Sequence, residues 1–407
     1  MDHSPRLKSE RQRSVIRSTR TEPSAVSASL RGFSHPAASP FGQHSTSAML
    51  AVMGKMEHVF DPGALAATPE RTSAGEHEVE SSLRPKRFDE FVGQDRTVDN
   101  LRVAIQASMA RGGTLDHLLL SGPPGLGKTS LARAVAEELG CQLLSATGPG
   151  LERPRDLVGI LTQLKAGDVF FIDEIHRVPS AVEEYLYTAM EDYQVDFTID
   201  QGPHARVLPL KLEPFTLLGA TTREGLLTAP FRSRFGLFER LEPYPVSDLV
   251  LILERSASLL GLTLEGSAAE LLASRARGTP RIVNRLLRRA RDLAEVDGAG
   301  QVTEEIARET LTRLGIDEFG LESMDRRILD VLAKNSGQAV GLKTIAAAID
   351  ESEDTIEEVF EPHLLREGFI QKTARGRLIT GPGFKALGQT PPASASDPSG
   401  LFDSTGS

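Results

Sequence analysis

The chain has 407 residues, with 46 Lys and Arg against 56 Asp and Glu and a formal net charge of -10. That length predicts two or three domains, and the 40% hydrophobic content is enough for globular cores. The acidic balance argues against a protein that coats nucleic acid uniformly. The single cysteine excludes a disulfide framework and a four-cysteine zinc site, and no apolar run reaches the ~18 residues of a membrane span.

Residues 1–82 are dominated by Ser, Thr, Pro, Ala and Arg, without lasting apolar periodicity, and read as a disordered extension. Arg6, Lys8, Arg11, Arg13, Arg17 and Arg20 crowd its start, a pattern shared by transit peptides and nucleic-acid tails. The blander readings are a solvated disordered arm or an over-extended gene start, with Met49, Met53 and Met56 within reach of the first folded residue, and no function is assigned to this stretch.

Residues 83–94 (LRPKRFDEFVGQ) lead into a predicted helix, 95–111. The apolar run 118–120 reads as a buried strand, and 129–139 as a helix stopped by Gly140. Between them, 121–129 reads SGPPGLGKT: Gly122, then Gly127, Lys128 and Thr129 in the G-x-x-x-x-G-K-[ST] spacing of a phosphate-binding loop. Glycines let backbone N–H groups turn inward around phosphate oxygens. Lys128 can reach the β and γ phosphates, the Thr129 hydroxyl can ligate Mg²⁺, and the helix N-terminus adds a favourable dipole.

A second strand is predicted over 141–146, with Cys141 as a core residue. In 168–177 (DVFFIDEIHR) a third buried strand ends in Asp173 and Glu174. Beside a phosphate loop, the first carboxylate can hold the Mg²⁺ water shell and the second can polarise an attacking water. Glu174 therefore separates a hydrolase from a nucleotide-binding scaffold. The stretch 215–223 (FTLLGATTR) ends a further strand in Thr221 and Thr222, hydroxyls able to sense a γ phosphate. Arg232 and Arg234 follow, either surface residues or an arginine finger for a neighbouring subunit.

Residues 194–199 alternate through Val195, Phe197 and Ile199, as do Leu208, Leu210 and Leu212, with a turn at 200–203. This hairpin either packs on its own domain or offers a docking surface. Residues 247–315 are helix-rich and crowded with arginine; Thr279 reads as an N-cap and Pro280 as the first helical residue, which puts Arg281 in a first turn. Helices at 324–334, 343–349 and 354–368 and strands at 369–373 and 377–380 spell a winged helix. Its third helix is acidic, so it suits a DNA groove badly; Lys372, Arg375 and Arg377 on the wing suit phosphates better, or are a solvated basic turn. Residues 389–407 read as a disordered tail.

From about residue 83 to about 387 the chain resembles the RuvB family of AAA+ P-loop ATPases, bacterial motors that drive branch migration of Holliday junctions. The pieces that carry this are LRPKRFDEFVGQ, GPPGLGKTSLA, FFIDEIHR, EEYLYTAMEDYQVDF, GATTREG, RSRFG, RGTPRIVNRLLRR and GFIQKTARGR. The resemblance implies an α/β AAA+ core over 83–246, a helical lid over 247–316 and a winged helix over 317–388. It implies that Gly125, Gly127, Lys128, Thr129 and Ser130 hold phosphates, and that Asp173 and Glu174 are the acid pair. Thr222 would be sensor 1, Arg234 the arginine finger and Arg281 sensor 2. Leu83, Arg84 and Tyr244 would grip adenine and sugar, with Glu191, Asp192 and Tyr193 also lining the ATP site. Glu224 departs from the family, which commonly has Ala there, and the N-terminal extension is a second departure.

The function so implied is an ATP- and Mg²⁺-dependent DNA translocase for recombination and repair, cytoplasmic and ring-shaped, as a hexamer. Its partners would be a Holliday junction or duplex DNA, a RuvA-type junction-recognition protein docked on the 194–212 hairpin, and a RuvC-type resolvase. Two rivals stand beside it: a clamp-loader or initiator-type ATP switch, and a non-enzymatic nucleotide-binding scaffold.

Overall fold

The computed structural model describes residues 80–199, 206–297, 300–335 and 338–391, all within one compact unit, Phe60–Ser407. The 1–79 stretch and most of the 389–407 tail lie outside the described residues, as does the 200–203 turn.

Five parallel strands form the central sheet: β1 (Leu118–Ser121), β2 (Leu143–Thr147), β3 (Val169–Asp173), β6 (Thr216–Thr221) and β7 (Leu237–Arg240), in the order β2-β3-β6-β1-β7. Strands of a parallel sheet are covered on both faces and so read as unbroken apolar runs. All six residues of β6 are buried. Side-chain alternation sorts each strand between two cores. Leu118, Leu120, Phe171 and Leu218 face helices α1 (Asp95–Arg111) and α2 (Lys128–Leu139). Leu119, Phe170, Ile172 and Leu217 face α3 (Pro154–Leu161) and α4 (Ser180–Asp192).

The expected strand at 141–146 begins later, and Cys141 is half-buried ahead of it. Gly140 ends α2 at φ 66°, and Cys141 N–H bonds back to Ala136 O at 3.1 Å. Capping the helix in this way takes the cysteine out of the strand. The hairpin is β4 (Gln194–Ile199) against β5 (Arg206–Lys211), antiparallel, with Val195 opposite Leu210. Val195 and Leu212 are buried on the core, whereas Leu208 is 44% exposed.

After the four-residue helix α5 (Ala229–Arg232) and β7 come the lid helices α6 (Val246–Leu259), α7 (Gly266–Ser274), α8 (Pro280–Val296) and α9 (Glu304–Arg313). Their core is continuous with one face of the sheet. Thr279 stands at the N-cap position of α8 with Pro280 after it, but its hydroxyl donates to Arg277 O (3.2 Å) and caps nothing.

The winged helix has its own core. It comprises α10 (Ser323–Lys334), α11 (Leu342–Ile349), a third helical stretch, and β8 (Ile370–Thr373) antiparallel to β9 (Gly376–Ile379). The third stretch is not one α-helix: Glu353–Thr355 is α, Ile356–Phe360 is a π turn, and Glu361–Arg366 is α again. Pro362 has no N–H and its ring crowds the carbonyl four residues back, which widens the turn ahead of it.

Candidate nucleotide-binding and catalytic site

In an open α/β sheet ligands bind beyond the carboxyl ends of the strands. Here the loop after β1 holds Gly122, Gly125 and Gly127 at φ 136°, 80° and 103°. A Cβ on Gly122 would lie 2.5 Å from Leu241 O, and one on Gly125 would lie 2.8 Å from Thr279 Cγ2. Only glycine fits both positions, so the loop's amides stay unshielded. Lys128 opens α2 and is buried, its ammonium donating to the carbonyls of Gly122 (2.7 Å) and Pro123 (3.0 Å). Burial pushes its pKa down; the Glu174 and Asp173 charges oppose this.

The β6 strand separates β1 from β3, so its tip stands between the phosphate loop and the acids. Thr129 Oγ1 lies 3.4 Å from Asp173 Oδ2. Burial, then the adjacent Glu174 charge, push the Asp173 carboxyl above its usual range. Glu174 is left-handed at φ 49°, a conformation that costs a non-glycine residue about 1–2 kcal/mol. The bend carries its carboxylate to the tip of β6, where Oε2 accepts from Thr222 N (3.3 Å) and Thr222 Oγ1 (3.0 Å). His176 Nδ1 sits 3.3 Å from the same oxygen and 2.9 Å from Thr221 Oγ1.

A cavity of about 200 Å³ opens over this floor. Leu83, Arg84, Gly125, Gly127, Lys128, Thr129, Ser130, Asp173, Glu174, Tyr244 and Arg281 all line it, so eleven expected residues from five separated stretches converge. Tyr244 donates to Leu126 O (3.3 Å), and burial pushes its hydroxyl up to about 12, so it stays a donor at neutral pH. Arg281 N lies 3.4 Å from Gly125 O, placing the start of α8 directly on the phosphate loop. The constellation fits a nucleotide triphosphate. Glycine amides and a buried ammonium face the phosphates, and a hydroxyl paired with a carboxylate gives the hard oxygen donors that Mg²⁺ takes.

Sequence reasoning missed Arg255, Asn284 and Arg288, which also line the cavity. Arg255 donates to Leu83 O and Glu90 Oε2, both at 2.9 Å, and so pins the 83–90 segment to the lid. The signal was present: 281, 284 and 288 recur at helical spacing and share a face of α8.

Other expected residues lie elsewhere. Glu191, Asp192 and Tyr193 line no part of this cavity. Tyr193 is half-buried, edge-on to Phe215 (5.9 Å), and Glu191 Oε1 accepts from Arg234 Nη2 at 3.1 Å. Glu224, the departure near Thr222, pairs with Arg232 (3.5 Å). On the wing, the three cations expected to suit phosphates are not equally open. Arg377 is buried, with its guanidinium held by Glu361 and by Glu357 (2.8 Å). Lys372 pairs with Glu357 at 3.1 Å. Only Arg375 of the three is exposed with no ion pair among the described residues. The acidic helix lies under the wing and neutralises it, which the sequence pattern alone does not reveal.

Comparison with known proteins places these observations in a family. Residues 83–241 match the Holliday junction DNA helicase RuvB P-loop domain, 244–317 the RuvB AAA lid domain, and 318–388 the RuvB C-terminal winged helix domain. The Holliday junction branch migration complex subunit RuvB of Myxococcus xanthus is 57% identical over 315 residues, 77% of this chain and 92% of that protein. The subunit of the same name from Chlorobium luteolum is 54% identical over 308 residues, 75% of this chain and 90% of its own. The solved structure of the Thermotoga maritima RuvB Holliday junction branch migration motor superposes with a TM-score of 0.71 at 45% identity, covering 76% of this chain and all of that one. Three matched domains, a phosphate loop, an acid pair and a winged helix agree, and the chain belongs to the RuvB family.

Proposed function

We propose that this chain is an ATP-driven motor that moves the branch point of a Holliday junction during recombination and repair. It works in the cytoplasm as a hexameric ring, with a RuvA-type protein on its 194–212 hairpin and a RuvC-type resolvase able to follow. The observation that carries the reading is the contact between Arg281 at the start of the lid and Gly125 in the phosphate loop. A lid that rests on the nucleotide's own loop is placed to change its angle when the phosphates change, and that movement is what a motor needs. Leu208, exposed on the hairpin, supports a docking role there.

Thr129 and Asp173 would hold Mg²⁺, which when bound neutralises charge on the phosphates. Lys128, Ser130 and the loop amides orient the phosphate chain. Leu83, Arg84 and Tyr244 enclose the base and sugar. Glu174 polarises the attacking water, and Thr222 fixes the direction of its carboxylate. Arg234 and the Glu191 it pairs with lie outside their own chain's cavity, as do Asp192 and Tyr193; these residues serve the neighbouring subunit's site.

The test is conversion of a synthetic four-way junction to duplex products with ATP, with and without a RuvA-type partner. ATP-dependent conversion supports the motor. ATP turnover on DNA without any conversion, partner present, would identify a switch of the clamp-loader kind instead.

A further inference from the structure

Arg234 does not hang free. Its guanidinium carbon sits 4.4 Å from the centre of the Tyr187 ring, within the range of a cation–π contact. Nη2 pairs with Glu191 at 3.1 Å and Nη1 donates to Pro230 O at 2.6 Å. Nε is buried with no hydrogen-bond partner among the described residues. Tyr187 and Glu191 are four residues apart on α4 and so share a face.

The ring is itself held. Tyr187 Oη bonds Glu183 and lies 3.0 Å from Thr228 Oγ1, and Thr228 donates to the same Glu183 oxygen at 2.5 Å. Thr228 also caps α5, accepting from Phe231 N at 3.3 Å, and α5 leads directly into Arg234. One hydrogen-bonded network therefore orients both the platform and the loop that bears the arginine. The ring face fixes the plane of the guanidinium without using a single N–H donor. Pro230 and Glu191 each engage one terminal nitrogen, which leaves the second N–H of Nη1 and of Nη2 for an acceptor from outside the chain; the buried Nε is not one of these donors.

We propose that Tyr187 is a positioning residue for Arg234, its ring face presenting the guanidinium to a phosphate bound by the neighbouring subunit, with Glu191 as a displaceable tether. This rests on the reading of Arg234 as an arginine finger. It predicts that Tyr187 acts on turnover in the next site and not on nucleotide binding in its own.

The full chain is assayed as assembled rings with ATP. Tyr187→Phe keeps the ring face and loses only the hydroxyl's bonds to Glu183 and Thr228, so it should lose much less turnover than Tyr187→Leu. Tyr187→Leu should lower kcat about three- to tenfold with KM for ATP unchanged, in line with the loss of one cation–π contact. In an Arg234→Ala background, Tyr187→Leu should add nothing. Mixed with Lys128→Ala subunits, Tyr187→Leu should regain turnover where an intact platform faces an intact loop. Unchanged kcat in Tyr187→Leu, an equal loss in Tyr187→Phe, or an additive loss beside Arg234→Ala would overturn the proposal. If Tyr187→Leu does not fold, Glu191→Gln takes its place: it removes an exposed charge and no packing, and with the tether weakened it must change kcat, an unchanged kcat overturning the proposal. Failure of Arg234→Ala itself to recover in mixed rings would instead refute the finger.

Discussion

Arg223 Nε lies 2.7 Å from Glu358 Oε1, and its Nη2 lies 3.2 Å from Asp354 Oδ1. The residue that follows Thr222 is thus tied to the third helix of the winged domain, and the strand tip that contacts Glu174 is linked through it to the winged helix. Both acids are more than a third exposed, so these pairs contribute only about 0–1 kcal/mol each. Arg223→Ala should therefore shift the thermal midpoint by no more than about 3 °C. Its effect should appear in domain placement: the distance distribution between spin labels on the core and on the winged helix should broaden. A distribution as narrow as wild type would show that other contacts hold the domain.

Glu174 is bent by its own backbone and bonded to Thr222, whereas Lys128 is bonded to the loop itself. On the proposed roles, Glu174→Gln would keep every phosphate contact and lose only the carboxylate charge that polarises the water. ATP and Mg²⁺ should bind at near wild-type affinity while turnover nearly stops. Lys128→Ala should weaken both. Wild-type turnover in Glu174→Gln would mean that another group activates the water.

The joint between lid and winged helix should be pH-sensitive. His363 is buried beside the guanidinium groups of Arg277 and Arg366; burial first, then those charges, push its pKa down to about 3. Arg366 Nη2 lies 3.2 Å from His363 Nδ1, and arginine can only donate, so this nitrogen must be bare. The Phe319 backbone opposes the shift without cancelling it, and the Glu367 carboxylate lies 3.9 Å away. A histidine with a depressed folded pKa contributes stability that is complete above its unfolded value, 6.5, and is lost as pH falls from there toward about 3. Between pH about 6.5 and about 4.5, the urea midpoint of the chain should fall less in His363→Gln than in wild type. Parallel pH curves for the two proteins would show that His363 is not the group responsible.

Legibility followed locality. The phosphate loop, the strands ending at Asp173 and Thr221, and the start of α8 at Pro280 announce themselves through runs and spacings of a few residues. Gly122 and Gly125 are required by contacts with Leu241 and Thr279, yet their need for positive φ was readable from the motif. What stayed hidden depends on partners far apart in the chain. Nothing near Arg377 says that Glu361 will bury it, and nothing near Arg223 says that Glu358 will reach it. Both follow from where the π turn before Pro362 sets the acidic face, a property of packing and not of pattern.

That packing decides how the wing can hold DNA. A branch-migration motor must pass over any sequence, so base-specific bonds of about 1–3 kcal/mol each would stall it; phosphates offer the same charge at every step. Arg375, exposed on the turn between β8 and β9, is the cation best placed for this, with Lys372, 53% exposed, behind it. Arg375→Ala should weaken binding equally on unrelated sequences and lower the salt slope by about one unit, the signature of one lost phosphate contact. Arg377→Ala should behave differently. Glu361 would be left buried and poorly paired, a change that costs about 3 kcal/mol, so the winged helix should lose stability and DNA affinity together. ATP binding without DNA should be unaffected in both. If Arg375→Ala leaves the salt slope unmoved, or weakens one sequence alone, the wing is not the phosphate grip. If Arg377→Ala lowers the slope at unchanged stability, Arg377 leaves Glu361 to bind DNA directly.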